Sequence, residues 1–169
     1  MICGNCIKFG DSVNTDVIMP GRYLVSIDPQ ELAEHAFEPL GPEIQQQLRR
    51  SKIVVAGVNF GCGSAREQAA SCLVGVGIKA VIAKSFARTF FRNTINTGLL
   101  AVECPEAVDA IEDGGEVSID TEAGTVTIGE KVFRFIPYPE SLRQILDAGG
   151  LIPYVVKYVL ADGEAKQNG

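Results

Sequence analysis

Long apolar runs, excess positive charge and low-complexity tracts are all missing from this 169-residue sequence. No apolar stretch approaches the roughly 20 residues that a membrane helix requires. The opening Met1-Ile-Cys-Gly-Asn-Cys-Ile-Lys8 lacks the basic and apolar regions of a secretion signal. A cytoplasmic protein with no membrane partner is expected. With 15 Lys and Arg against 21 Asp and Glu, the net charge is −6. That disfavours nucleic acid as a partner, because neutralising phosphates takes a basic stripe. Histidine is nearly absent, His35 standing alone. One histidine leaves Cys3-Gly-Asn-Cys6 without enough partners for a closed four-ligand zinc site. It also makes a Ser-His-Asp triad depend on a fold contact that the sequence does not announce. The five cysteines are an odd number with no secretion signal, so a disulfide framework is not expected. Three motifs are missing as well: the dinucleotide fingerprint G-x-G-x-x-G, the Walker A loop and the G-x-S-x-G elbow of hydrolases.

What is present is ordinary for a folded chain, with 46% apolar and 21% charged residues. The length suits one domain over 1–169, with a polar tail from Asp162 to Gly169 that is expected to fray. A strand is expected before Gly10, followed by turn chemistry from Phe9 to Asp16. Asp28-Pro29 reads as a helix cap with proline at the first position, opening a helix to about Phe37. A second short helix is expected over Pro42 to Arg50. The middle of the chain alternates. Apolar runs near 52–57, 79–83 and 99–103 read as strands covered on both faces. Helices from about Ala65 to Val76 and Phe86 to Asn96 lie between them, stopped by Gly77 and Gly98, with Ser85 capping the second. That order predicts parallel pairing. Runs near 116–120, 125–128 and 131–136 alternate apolar and polar residues, as a half-exposed meander does. Helices over 139–148 and 151–160 close the chain. Cys72 falls in an apolar helical pattern and belongs to the core. Lys84, Arg88 and Arg92, spaced by four, read as one helix face, either solvated or set to meet an acidic partner. The fold class is α/β with mixed parallel and antiparallel strands and flanking helices.

Chemistry concentrates in Gly61-Cys62-Gly63-Ser64-Ala65-Arg66. Ser64-Ala-Arg-Glu67 has the form of a capping box, in which Ser64 caps the helix and Glu67 reaches back. Three features favour a ligand instead. Gly57, Gly61 and Gly63 let backbone approach a bound molecule closely. The loop joins the end of a buried strand to a helix start, where ligands and anions bind in α/β sheets. Arg66 in a first helical turn opposes the helix dipole, which an anion would offset.

Asn59-Phe-Gly-Cys-Gly-Ser-Ala-Arg-Glu67 resembles the N-F-G-C-G-S-S-R-E signature of the small subunits of 3-isopropylmalate dehydratase, in the aconitase superfamily. Gly77 to Arg88, Arg92 to Leu100, Phe9 to Asp16, Pro20-Gly-Arg-Tyr-Leu24 and Ala148 to Leu151 resemble further family segments, so the likeness spans nearly the whole chain. The resemblance implies the swivelling β/β/α domain of the aconitase type. It implies a hydro-lyase that removes water from a hydroxy dicarboxylic acid and returns it to the neighbouring carbon. Ser64 matches the base, and Arg66 matches a substrate-carboxylate ligand. Asp16 matches an acidic residue that orients a partner group; without the resemblance it reads as a turn cap. No cofactor is implied in this chain, because a [4Fe-4S] cluster acting as Lewis acid on the departing hydroxyl belongs to a separate large subunit. Ala65 departs from the family's second serine and keeps only a backbone N–H for substrate. Tyr23, Leu24, Val25 and Ser26 match the loop that reads the substrate's variable group. Valine there points to a branched alkyl substituent, as in isopropylmalate, with dimethylmalate, a methylated malate or homoaconitate as alternatives. Two readings of other classes stand beside this one: a non-catalytic module holding a small anion at Ser64, and a metal or redox protein using Cys3 and Cys6.

Overall fold

Residues 1–160 are described by the computed structural model, and the expectation for the tail at 162–169 lies outside them. Seven strands form one mixed sheet. They are β1 (Ile2–Lys8), β2 (Ile53–Ala56), β3 (Ala80–Ala83), β4 (Leu100–Glu103), β5 (Glu116–Asp120), β6 (Thr125–Ile128) and β7 (Lys131–Arg134). Their order across the sheet is β4-β3-β2-β1-β5-β6-β7. The first four run parallel to one another, and β5, β6 and β7 continue from β1 as an antiparallel meander. Both expected halves are therefore present in a single sheet.

Side-chain alternation along the central strands builds two apolar layers. Val54, Ala56, Val81 and Ala83 face one layer with Phe37, Phe60, Leu73 and Phe90. Ile53, Val55, Ala80 and Ile82 face the other with Val102, Ala107, Val117 and Val126. All four residues of β2 and of β3 are buried, which is why these segments carry no polar alternation. Cys72 lies fully buried in the first layer.

The helices are α1 (Thr15–Ile18), α2 (Pro29–Ala33), α3 (Pro42–Arg50), α4 (Gln68–Val76), α5 (Arg88–Thr97), α6 (Pro105–Ala110), α7 (Glu140–Asp147) and α8 (Leu151–Tyr154), the last running on into π-type turns to Leu160. Asp28 caps α2 by accepting from Gln30 N, as its sequence suggests. That helix stops short of the expected Phe37. Phe37 itself takes a left-handed conformation (φ 55°) and turns inward to full burial, which a continuing helix would forbid. Gly77 and Gly98 end α4 and α5 in left-handed conformations. Helix α6 was not expected.

Two helix starts differ from the sequence reading, and both differences concern the loops after the parallel strands. Helix α5 begins at Arg88, with Ala87 as its cap residue. Ser85 is not that cap: its Oγ accepts from Asn59 N at 2.8 Å and its carbonyl accepts from Phe60 N at 3.0 Å, tying the loop after β3 to the loop after β2. Lys84 consequently precedes the helix and does not share its face with Arg88 and Arg92. The three cations instead line a groove of about 620 Å³ with Phe86, Phe91 and Tyr138, and Lys84 pairs with Asp109 at 2.6 Å. Helix α4 begins at Gln68, later than Ala65, for a reason that lies in the site itself.

Candidate active site

Because β1 to β4 are parallel, the loops that follow them emerge on one edge of the sheet. The loops after β1 and β2 run on side by side beyond the strands. Gly57 N donates to Gly10 O at 3.0 Å, Ser12 N to Val58 O at 2.8 Å, Gly61 N to Val13 O at 2.9 Å and Thr15 N to Cys62 O at 2.8 Å. Asn14 and Cys62 form an isolated parallel bridge. This ladder takes Gly61 N, Cys62 O and, through Thr15 Oγ1, Ser64 O into bonds with the loop after β1, so the helix does not start there. The capping box is therefore not made: Glu67 is the cap residue of α4, no side chain caps it, and Ser64 stands three residues before that cap. Arg66 likewise precedes the first helical turn.

Two glycines make the close pairing possible. Gly61 (φ 77°) sits where a β-carbon would overlap the Phe90 ring, and Gly63 (φ 94°) where one would overlap the Asn14 side-chain amide. Positive φ and lack of space both exclude other residues.

The ladder leaves Gly63, Ser64 and Ala65 exposed and Arg66 half-buried. The Ser64 side chain has no hydrogen-bond partner among the described residues, while its carbonyl accepts from Thr15 Oγ1 at 3.0 Å. Arg66 pairs through Nη1 with Asp16 Oδ1 and donates from the same nitrogen to Met19 O at 3.3 Å. Gly21 lies against the guanidinium. The arginine side chain is 17% exposed and the aspartate 58%. Asp16 is placed by Asn14, whose Oδ1 accepts from Asp16 N at 2.8 Å. The countercharge that Arg66 seemed to ask of a ligand is thus already supplied within the chain. A guanidinium has five N–H donors in a planar fork, so anchoring through Nη1 leaves donors for a carboxylate.

The structure brings Ser64, Ala65, Arg66 and Asp16 together on an open face. The segment Tyr23 to Ser26 is linked to the same region by Gln68 Nε2, which donates to Leu24 O at 3.4 Å. Tyr23 stacks on His35 with ring centroids 3.5 Å apart and donates its hydroxyl to Glu38 at 3.1 Å. Ser26 Oγ donates to Glu31 at 2.6 Å. Between them Val25 is 95% exposed, an apolar side chain held out with nothing to cover it. Asn14 and Thr15 are the site residues that sequence reasoning missed. Their signal was the Asx-turn chemistry of Asn14-Thr-Asp16, which was read as a turn and not as a clamp on a distant loop.

Glu38 anchors this loop, taking the Tyr23 hydroxyl and lying 2.8 Å from His35 Nδ1 while pairing with Arg22. The Tyr23 bond, then the His35 contact, hold its carboxyl below the ordinary range; desolvation opposes them, and Arg22 adds a smaller lowering. A folded-state value below the unfolded one means that this anchoring is complete above the ordinary glutamate pKa of about 4.3. It is lost as pH falls through the lower folded value. The Tyr23 ring resonances should therefore shift on acidification below about pH 4, and in Glu38→Gln that transition should vanish. A transition that persists in the variant would place the anchor elsewhere.

The cysteines do not suit a metal or redox centre. Cys3 and Cys6 are three apart on strand β1, so their side chains point to opposite faces; Cys3 is exposed and Cys6 buried. Burial pushes the thiols of Cys6, Cys72 and Cys104 up, away from the thiolate that a metal needs. Cys62 is the one cysteine in the site loop. Among the described residues no three His, Cys, Asp or Glu side chains gather as a metal site, and no helix is long and apolar enough to cross a membrane.

Residues 15–107 match the aconitase C-terminal domain family. The chain is 51% identical to the 3-isopropylmalate dehydratase small subunit 1 of Archaeoglobus fulgidus, over 89% of its own length and 94% of that protein's. It is 49% identical to the 3-isopropylmalate dehydratase small subunit of Caldanaerobacter subterraneus subsp. tengcongensis, over 90% and 96%. A crystal structure of 3-isopropylmalate dehydratase from Methanocaldococcus jannaschii superposes with a TM-score of 0.87 at 43% identity, covering 97% of this chain and 98% of that one. The chain belongs to the 3-isopropylmalate dehydratase small-subunit family, built on the aconitase C-terminal domain.

Proposed function

We propose that this chain, as one swivelling domain in the cytoplasm, is the small subunit of a hydro-lyase that interconverts 2-isopropylmalate and 3-isopropylmalate by dehydration and rehydration. The observation that carries the proposal is an exposed Ser64, its hydroxyl without a hydrogen-bond partner among the described residues, two residues before an Arg66 that Asp16 already holds.

The proton to be removed sits on carbon next to a carboxylate and is weakly acidic, so the charge that develops needs fixed electrostatic stabilisation. Arg66, held by Asp16 and Met19 O, grips a substrate carboxylate with its remaining donors. A neutral serine is a poor base, so Ser64 Oγ takes the proton as an alkoxide or close to one. Helix-start N–H groups cannot hold that charge, since α4 begins at Gln68. Arg66, two residues on, contributes positive charge there, offset in part by its pairing with Asp16. Val25 offers its bare apolar side chain to the substrate's branched alkyl group. Covering a valine from water favours binding by about 1.5 kcal/mol. An iron–sulfur cluster does not fit this chain's cysteines and is assigned to the large subunit; the residues here act on the proton and the carboxylate.

Mixing the purified chain with a cluster-bearing large subunit tests the reading. The chain alone is expected to be inactive, and isomerisation of 2-isopropylmalate should appear on reconstitution. Carboxylate binding by the chain alone, with no activity after mixing, would favour an anion-binding module.

A further inference from the structure

Two neighbouring residues, Thr15 and Asp16, reach from the loop after β1 to the loop after β2. Asp16 holds Arg66 by its side chain. Thr15 does something different. Its backbone N–H makes the last main-chain rung of the ladder, to Cys62 O at 2.8 Å, and its hydroxyl then extends the ladder to Ser64 O at 3.0 Å. Beyond that point the two backbones part, since α1 begins at Thr15 and turns away.

Thr15 is 1% exposed although it is polar. Its Oγ1 has one assigned task among the described residues, the bond to Ser64 O. Ser64, in contrast, is exposed and lies outside any helix, with Gly63 before it in a left-handed conformation that a side chain would strain. Nothing else among the described residues fixes its backbone: its own side chain is unpartnered, and the α4 cap lies three residues on. A loop of this kind would sample several orientations if its end were untied.

Resting on the assignment of Ser64 as base, we propose that Thr15 is a positioning residue for the reaction. Its buried hydroxyl fixes the Ser64 carbonyl, and with it the direction of Ser64 Oγ, while its neighbour Asp16 fixes Arg66. One short segment thereby sets both the base and the carboxylate grip in register. Thr15 touches no reacting atom, so its loss misplaces the base without removing it. Misplacement by about 1 Å can lower a rate by about 10²-fold.

The test uses the chain reconstituted with its large subunit. Thr15→Val keeps the shape and removes the donor. It is expected to lower kcat by about 30-fold, with KM and the affinity for the large subunit within about threefold, because the Arg66–Asp16 pair is untouched and Thr15 is buried. Thr15→Ser restores the hydroxyl and should recover kcat to within about threefold of the parent. A Thr15→Val enzyme with the parent's kcat overturns the proposal. So does a loss that Thr15→Ser fails to rescue while its melting temperature matches the parent's, since the missing element would then be the methyl group. If Thr15→Val does not fold, Thr15→Ser and Thr15→Cys are compared, and equal kcat in these two also overturns it. Ser64→Ala in the same assay separates the two levels. Full activity there removes the base assignment itself, whereas an inactive Ser64→Ala beside a fully active Thr15→Val removes the clamp alone.

Discussion

Ser64→Ala, assayed with the large subunit present, should lose about 10³-fold in kcat, within the range that a positioned base contributes. The variant is well suited to the question because little else depends on that hydroxyl. Ser64 is exposed, its Oγ has no hydrogen-bond partner among the described residues, and its carbonyl remains to accept from Thr15. Melting temperature and large-subunit affinity should therefore stay at the parent's values, leaving the loss to the proton-transfer step. A second readout sharpens the result. Exchange of the substrate's carbon-bound hydrogen with solvent requires the base, so it should disappear along with turnover. A variant that keeps full turnover and full exchange would show that another group takes the proton.

Arg66→Lys is expected to lower kcat/KM by about 10²-fold, most of it through KM. Hydrogen bonds to a charged group contribute about 1.5–3 kcal/mol each, and about 1.4 kcal/mol is a factor of ten in rate or binding. Loss of a two-pronged grip partly offset by the lysine charge gives that figure. Lysine keeps the charge but has no planar fork, so it cannot hold Asp16, Met19 O and a substrate carboxylate at once. Stability should change little, because Asp16 is largely exposed and water can take over its solvation. Asp16→Asn separates grip from orientation. Asparagine keeps the shape and an acceptor, so the loss should be smaller than for Arg66→Lys. Equal losses in the two variants would mean that the ion pair, and not a bond from Arg66 to substrate, is what the reaction needs.

Much of the architecture was legible because its causes are local. Apolar runs marked β2, β3 and β4, the glycines Gly77 and Gly98 marked where α4 and α5 stop, and Asp28-Pro29 marked the start of α2. Period-two alternation marked the meander. Misreadings fell where a distant segment competed with a local rule. Ser85 has the look of a helix cap, yet it serves Asn59, 26 residues earlier. The α2 helix pattern ran to Phe37, but burial of that ring ended the helix sooner.

The glycine-rich loop gathers both kinds of information. By itself the sequence determined the residues of the loop, the strand before it and, through its likeness to known small subunits, the family. It could not determine what Ser64 does locally, because Ser64-Ala-Arg-Glu67 satisfies the pattern of a capping box. Only the tertiary structure decided that. The backbone of Gly61 to Ser64 is bonded to the loop after β1, with Thr15 reaching it across 49 residues of sequence. A chain segment whose carbonyls and N–H groups are taken by a parallel neighbour cannot also begin a helix, and a serine left outside the helix keeps its hydroxyl free. The pairing of Arg66 with Asp16 was decided in the same way. It arises because parallel strands deliver their following loops to one edge of the sheet, a juxtaposition that no local spacing encodes.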